Sequence, residues 1–325
     1  MRILYLPNSS SQQRQFQKPS HIYPVLMAME AQHYRKMGQE VFWGLQKCGN
    51  FSGWVDKVIT EPERLFPFAS LPHPDRIWTR AKEYTSGNYK YLPGTHMQSA
   101  RGCWWGKCTF CVENEKPYEV RPVEDVISEI EECKALGFKE VFDDSATFPI
   151  GGWLDKFLDR AIVKGFRSSI RLGCNMRICN IDYKRFVLAG FRMLLFGIES
   201  ANQFTLDHIN KGVKVENIIP TIKRASKCGL DCHGAFMFGY SWETDEDAQR
   251  TLKLCHYLLR KGYLKTAQAS LYCPQGVPGN QAHKKYIKKI YNAGYYPEFW
   301  FHQLRAIKDI NDIKYIWRGM KSAFQ

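Results

Sequence analysis

Three cysteines lie close together in the segment RGCWWGKCTFCVEN. Cys103, Cys108 and Cys111 have the spacing Cys-x4-Cys-x2-Cys, so one short loop carries three thiols. Three thiolates can hold three irons of a [4Fe–4S] cube and leave the fourth iron without a protein ligand. Such an iron is open to a chelating substrate. The spacing therefore predicts an iron–sulfur cluster with one exchangeable position.

The same three cysteines could also bind zinc or simply fill space in the core. A structural zinc site takes four ligands and usually draws on a second close pair. The pairs Cys174/Cys179 and Cys228/Cys232 fall in or beside segments that we expect to form a sheet. Cysteines are also common as small core residues, but this loop is rich in glycine, tryptophan and lysine. We favour the cluster and keep a non-catalytic iron–sulfur or zinc-binding module as an alternative.

The length, composition and charge of the chain bear on its location and its partners. The chain has 325 residues, eleven cysteines with irregular spacing and no apolar run of the roughly 20 residues that span a bilayer. The start, MRILYLPNSSSQQRQ, turns polar after one short apolar run, so we expect no signal peptide, no membrane association and a cytoplasmic location. The net charge of +14 suits a polyanionic partner such as nucleic acid, or is only a basic surface.

From about residue 95 the chain alternates between strand-like and helix-like segments. The predicted strands are THMQSA, KEVFDD, SSIRLG, FRMLLFGIES, LDCHGAFMFG and TAQASLY, with amphipathic segments between them. Such alternation predicts a parallel sheet with crossover helices. Six strands are too few for a closed eight-stranded barrel, so we expect an α/β fold with a partial (βα)6 TIM-like barrel, over residues 93–275.

The flanking segments are less regular. ILYLP, the helix-forming residues 22–37 and QEVFWGL predict one βαβ unit, the start of a Rossmann-like lobe. The stretch 50–95, rich in proline and glycine, indicates a linker or packing arm that completes residues 1–92. Residues 276–325 are basic and aromatic. They favour a helical cap on the open side of the barrel, or a surface that stacks bases and binds phosphate.

The cysteine loop and the motifs after it resemble the radical S-adenosylmethionine (radical SAM) superfamily, particularly the branch related to cobalamin-binding radical enzymes. The resemblance extends over residues 95–280. Members have a cysteine loop after the first barrel strand whose last pair encloses an aromatic residue, as in Cys108-Thr109-Phe110-Cys111. This chain differs from the usual pattern by placing four residues, not three, between the first two cysteines.

The resemblance implies a set of contacts to S-adenosylmethionine at the carboxyl ends of the strands. They are Phe110 near the adenine, Asp143 and Asp144 for the amino group, Glu199 for the ribose or methionine moiety, Lys211 for the methionine carboxylate, the backbone around Met237 for the adenine edge, and any of Arg171, Asn175 and Arg177 for ribose or substrate. Paired aspartates could instead cap a helix or bind a divalent metal. Glu199 could instead be a salt-bridge partner, and Lys211 a surface lysine.

The mechanism that the resemblance implies begins when the amino acid part of S-adenosylmethionine chelates the open iron. An external one-electron donor of the flavodoxin or ferredoxin kind reduces the cluster, and a 5′-deoxyadenosyl radical abstracts a substrate hydrogen. The opening βαβ unit lacks the Asp-x-His-x-x-Gly loop of cobalamin domains, so we expect no cobalamin. The substrate stays open between an RNA or peptide to be methylated or thiolated and a small metabolite.

Overall fold

The computed structural model describes residues 1–5, 23–44, 56–84, 89–273, 279–290, 292 and 296–323, with side chains to residue 318. The strands are β1 Arg2–Tyr5, β2 Glu40–Trp43, β3 Lys57–Ile59, β4 Gly94–Met97, β5 Ala100–Arg101, β6 Glu119–Val120, β7 Glu140–Asp143, β8 Arg171–Met176, β9 Phe191–Glu199, β10 Asp231–Phe238 and β11 Thr266–Leu271. The helices are α1 Val25–Lys36, α2 Val123–Ala135, α3 Gly152–Val163, α4 Phe166–Ser169, α5 Tyr183–Leu188, α6 Gln203–His208, α7 Ile218–Lys227, α8 Asp245–Arg260, α9 Lys284–Ile290, α10 Pro297–Arg305 and α11 Ile310–Ala323.

Six parallel strands form the main sheet in simple chain order, β4-β7-β8-β9-β10-β11. This confirms the predicted partial (βα)6 barrel. Parallel neighbours need a crossover, and helices α2 to α8 make these connections. All carboxyl ends consequently lie at one edge of the sheet, where the loops that follow β4, β7, β8, β9 and β10 meet.

The two faces of the sheet pack differently because side chains alternate along each strand. Val141, Leu172 and Leu194 belong to the large core that includes the crossover helices. Phe142 and Met193 pack instead with Tyr89 in a separate cluster on the opposite face. The inner face of the barrel is thus lined by a different set of residues from the helix-covered face.

Strand β8 begins three residues later than predicted. The segment SSIRLG was expected to be extended, but Phe166–Ser169 forms α4, and β8 covers Arg171–Met176. The difference matters for the site, because it moves Arg171 to the first residue of the strand and brings Asn175 towards its carboxyl end.

The N-terminal lobe contains a small parallel sheet in the order β2-β1-β3. Strand β3 was not predicted, because three residues in a proline-rich stretch carry too little periodicity to detect. Helix α1 packs against both hydrophobic cores. Met29 belongs to the large core of the barrel, and Met27 packs with Ile3 and Tyr5 in the core of the lobe. The predicted boundary at residue 92 stays a prediction, and apolar packing is continuous across it.

The segment between the lobe and β4 is fixed by buried charges. Arg76 donates to Glu129 of α2 at 2.5 Å and to the His96 carbonyl of β4 at 2.9 Å. Arg121 forms a second ion pair with Glu129. Burial alone would raise the pKa of Glu129, but the two guanidinium groups lower it to about 2. This part of the chain therefore acts as the packing arm that the sequence suggests.

The C-terminal segment forms helices α9, α10 and α11 in its described part. Helix α9 packs against β11 and α8. Helix α11 lies at the amino ends of the strands: Asp312 pairs with Lys90, and Arg318 donates to the Tyr89 carbonyl at 2.7 Å, just before β4 begins. Within the described ranges, no helix is long and apolar enough to cross a membrane.

Candidate functional site

The cysteine loop follows β5 at the carboxyl edge of the main sheet. Cys108 is buried, and Cys103 and Cys111 are half-buried. Within the loop, the Cys111 N–H donates to the Cys108 carbonyl at 3.1 Å, and the Glu115 N–H donates to the Gly106 carbonyl at 3.2 Å. The tight turns keep the three cysteines in one short loop, and the Cys103 and Cys108 thiols are near enough to Cys111 to affect its pKa.

The surroundings of the thiols suit a cluster. Burial raises the pKa of Cys111, a backbone N–H from Glu113 at 3.4 Å opposes the rise, and the Cys108 and Cys103 thiols add to it. In the described residues, no three His, Cys, Asp or Glu side chains are placed to hold a single metal ion. A cube takes each thiolate at a different iron, so its ligands stand farther apart than those of one ion.

Three consecutive backbone carbonyls after α6 accept hydrogen bonds from two groups of the cysteine loop and from Arg177 beside it. Ile209 accepts from the Thr109 N–H at 3.1 Å, Asn210 accepts from the Trp105 indole at 2.8 Å, and Lys211 accepts from the Arg177 guanidinium. Asn210 and Gly212 have positive φ, which turns the chain so that the carbonyls face the loop. A Cβ on Gly212 would lie 2.1 Å from Trp105, so this close approach needs glycine. The loop and Lys211 are therefore locked together.

Glu199 and Lys211, predicted separately, form a buried ion pair. Lys211 Nζ lies 2.8 Å from Glu199 Oε1, and Lys211 Nζ is also 5.9 Å from the centre of the Phe110 ring. The pair lies over Gly197, where a Cβ would come within 2.8 Å of the carboxylate. Glu199 has φ of +66°, a strained conformation for a residue with a side chain. The structure thus brings Phe110, Glu199 and Lys211 together beside the thiols.

The two aspartates after β7 have different environments. Asp143 is buried, and its two oxygens accept the N–H groups of Ser99 and Ser145, both at 2.9 Å. The Asp144 side chain is exposed at the surface. Desolvation by the protein packed around it, and secondly repulsion from the Asp143 carboxylate, raise its pKa to about 7. Asp143 therefore acts as a brace for the loops after β4 and β7, and Asp144 is the carboxylate available to a ligand.

The other predicted contacts are not all at the carboxyl edge. Asn175 lies there and donates to the Ser145 carbonyl at 2.9 Å, and Met237 is half-buried near the end of β10. The expected position of Arg171 at the carboxyl edge is wrong. Arg171 begins β8, stacks over Tyr91 and donates to the Arg167 carbonyl at the opposite end of the strands, so it is remote from the cysteine loop.

Two buried hydroxyls in loops at the carboxyl edge, not predicted from the sequence, have no hydrogen-bond partner among the described residues. Thr147 follows Asp144, and Tyr240 follows β10, where the charges of Glu199 and Cys108 act on it. Buried polar groups are normally satisfied, so these orphan oxygens fit a ligand that carries its own polar groups, as S-adenosylmethionine does. The signal for Tyr240 was the Gly-Tyr-Ser-Trp-Glu-Thr turn itself.

The basic and aromatic C-terminal segment meets the turn after β10 at its start, where the Asn280 N–H donates to the Gly239 carbonyl at 2.8 Å and His283 lies 2.9 Å from Glu243. A cleft of about 670 Å³ lies between α8 and the C-terminal helices, lined in part by Lys253, Arg260, Lys261 and Lys289. These residues of α8 are in its second half, which leads into the amino end of β11. The cleft is thus at the other end of the barrel from the thiols, and a nucleic acid substrate stays a prediction.

Comparisons with known proteins match the same region. The radical SAM superfamily profile matches residues 97–255. A protein assigned as a methylthiotransferase from Methanocaldococcus jannaschii is 27% identical over 53% of this chain and 39% of its own length. An uncharacterised methyltransferase from Pyrococcus horikoshii is 30% identical over 62% of this chain and 45% of its own length. The chain therefore spans less than half the length of these relatives.

A solved structure has the same fold. The radical SAM methyltransferase TsrM from Kitasatospora setae, with cobalamin and a [4Fe–4S] cluster bound, has a TM-score of 0.52 and 19% identity over 64% of this chain and 39% of its own. Because this neighbour holds cobalamin, the comparison does not support our expectation that cobalamin is absent. Residues 97–255, which contain the cysteine loop, Asp144, Glu199 and Lys211, therefore match a radical SAM domain.

Proposed function

We propose that the chain is an enzyme that binds a [4Fe–4S] cluster through Cys103, Cys108 and Cys111 and cleaves S-adenosylmethionine reductively. The observation that carries the proposal is the junction of the cysteine loop with residues 209–211. It fixes three thiols beside the buried Lys211 ammonium, which complements a carboxylate. In the structure this ammonium pairs with Glu199, and we propose that it also binds the carboxylate of the ligand.

The side chains around the loop can each meet one part of S-adenosylmethionine. Lys211 suits the methionine carboxylate, Asp144 the amino group, and Glu199 the ribose hydroxyls. The buried Tyr240 hydroxyl offers a further donor, and the aromatic ring of Phe110 helps to exclude water. A reduced cluster in this loop would supply the electron that breaks a carbon–sulfur bond of the sulfonium.

The reaction class that we propose is transfer of a methyl or methylthio group. Support comes from the names of the two relatives, one a methylthiotransferase and the other a methyltransferase. The proposed reductant is a one-electron donor of the flavodoxin or ferredoxin kind. The acceptor is either a macromolecule or a small metabolite.

The test uses anaerobically reconstituted protein with dithionite and S-adenosylmethionine. We expect at least three irons per chain and formation of 5′-deoxyadenosine. Single changes of Cys103, Cys108 or Cys111 to Ala should abolish both, whereas Cys273→Ala, which removes an exposed cysteine outside the loop, should change neither. Wild-type protein with one bound zinc, or a full cluster without 5′-deoxyadenosine, would instead favour a binding module.

A further inference from the structure

Arg177 is a buried cation beside one thiol of the cysteine loop. It follows β8 and is 6% exposed. One guanidinium nitrogen is 3.8 Å from Cys108 Sγ, within the range of a hydrogen bond to sulfur. Another nitrogen donates to the Lys211 carbonyl. The sequence singled Arg177 out only as one of three residues that could contact ribose or substrate.

The guanidinium is held by aromatic rings. Its central carbon is 4.6 Å from the centre of the Trp105 ring and 5.3 Å from that of Trp104. Both indoles are fixed in turn: Trp105 donates to the Asn210 carbonyl at 2.8 Å, and Trp104 donates to the Phe148 carbonyl at 3.3 Å. Indole faces attract a cation without neutralising it.

The charge of Arg177 consequently stays uncompensated by anions. Across the described part of the chain, no carboxylate forms an ion pair with this guanidinium, in contrast to buried Arg76, Arg121 and Arg192, which each have one. A buried positive charge acts strongly on its neighbours because little solvent screens it. The guanidinium contacts one group able to carry negative charge in the cysteine loop, the Cys108 sulfur.

Reduction of an iron–sulfur cluster adds one negative charge to the irons and their thiolates. Cluster potentials depend on net charge, hydrogen bonds to the sulfurs and exposure to solvent. A fixed cation that donates to one thiolate stabilises the reduced form more than the oxidised form. It therefore raises the reduction potential and makes the cluster easier to reduce.

We propose that Arg177, clamped between Trp104 and Trp105, is a positioning residue that sets the reduction potential of the cluster through Cys108. This inference rests on the proposed function, because it requires the cluster. It assigns the two tryptophans of the Cys-Trp-Trp-Gly-Lys-Cys segment a role in holding the cation. The electron itself comes from the external one-electron donor.

The test is a potentiometric titration of reconstituted protein, followed by electron paramagnetic resonance, with iron content measured on each sample. In Arg177→Gln we expect full iron and a more negative midpoint potential. The reduction equilibrium should change by about tenfold, or about 59 mV for a one-electron couple. Arg177→Lys should lie between the variant and the wild type. The matched control, Lys107→Gln, removes an exposed cation from the same loop and should shift the potential much less.

An Arg177→Gln protein with full iron and the wild-type potential would overturn the inference and leave the proposed function intact. If Arg177→Gln cannot hold iron, Trp105→Leu decides, because it keeps the charge and all three thiols but removes one side of the clamp. A negative shift in that variant supports the inference, and an unchanged potential rejects it. Wild-type protein without a cluster would overturn both the inference and the proposed function.

Discussion

Lys211 Nζ and Glu199 Oε1 are 2.8 Å apart, and both side chains are nearly inaccessible to solvent. Twelve residues of chain separate them, yet they close over the backbone of Gly197 at the carboxyl edge of the sheet. The pair has a structural role, since each charge compensates the other, and in the proposed function Lys211 also binds the carboxylate of the ligand. These two roles can be separated by mutation.

Lys211→Met should destabilise the protein by about 3 kcal/mol, because it leaves the Glu199 carboxylate buried without its counter-ion. It should also abolish binding of S-adenosylmethionine. The double variant Lys211→Met with Glu199→Leu should recover most of the stability but none of the binding. Chemical denaturation and equilibrium dialysis measure the two effects. Recovery of binding in the double variant would rule out a direct role for Lys211.

Gly197→Ala should weaken binding of S-adenosylmethionine by about tenfold or more, because its Cβ would lie 2.8 Å from Glu199 and 2.9 Å from Lys211 and must displace both. The cost in stability should be small, about 1 kcal/mol, since the ends of side chains can move. Gly152→Ala is the control: its Cβ meets no atom within 4 Å at the start of α3. Equal affinities for the two variants would contradict the assigned role of the pair.

Asp144 should make both stability and ligand binding depend on pH. Its folded pKa of about 7 lies above the ordinary 3.8, so the folded protein binds a proton more tightly than the unfolded chain. Its favourable contribution is complete below about pH 4 and is lost as the pH rises towards 7. Asp144→Asn should flatten that slope in denaturation experiments between pH 4 and pH 8.

The same titration should strengthen binding of the amino group of S-adenosylmethionine as the pH rises through 7, since the ionised Asp144 attracts an ammonium. Calorimetric titration at pH 6 and pH 8 measures the change. A wild-type protein whose affinity changes with pH no more than that of Asp144→Asn would show that this carboxylate does not face the ligand.

Glu129→Gln should cost about 3–5 kcal/mol, because it leaves Arg76 and Arg121 buried without their shared carboxylate. With a folded pKa of about 2, below the ordinary 4.5, Glu129 stabilises the protein above pH 4.5 and ceases to do so as the pH falls towards 2. The variant should lose that acid dependence. Glu131→Gln, which breaks an exposed pair with Lys164 on the same helix, should cost less than about 1 kcal/mol.

The barrel was predictable because each of its six strands is long or apolar enough to contrast with the amphipathic segment beside it. Once the strands are parallel and the connections short, chain order fixes spatial order. The third strand of the lobe, Lys57–Ile59, escaped prediction because it is short and lies in a proline-rich stretch. Arg171 was assigned to the wrong end because a boundary error of three residues is half the length of β8.

The cysteine loop stood out by its spacing alone. A salt bridge was an alternative for Glu199, but the sequence did not indicate Lys211 as its partner. The difference between Asp143 and Asp144 could have been found, because neighbouring residues at a strand end point to opposite faces. The clamp of Trp104 and Trp105 around Arg177 could not, since it joins segments about seventy residues apart through a turn whose geometry depends on Asn210 and Gly212.

The hydrogen bond from Arg318 to the Tyr89 carbonyl spans 229 residues of chain. Contacts between such distant segments form slowly, because a long loop must close before they stabilise anything. During refolding, the sheet should therefore assemble before α11 docks beneath it and Asp312 reaches Lys90. The expected kinetic signature is a transient species with native-like secondary structure in which the amino ends of the strands are still exposed to solvent.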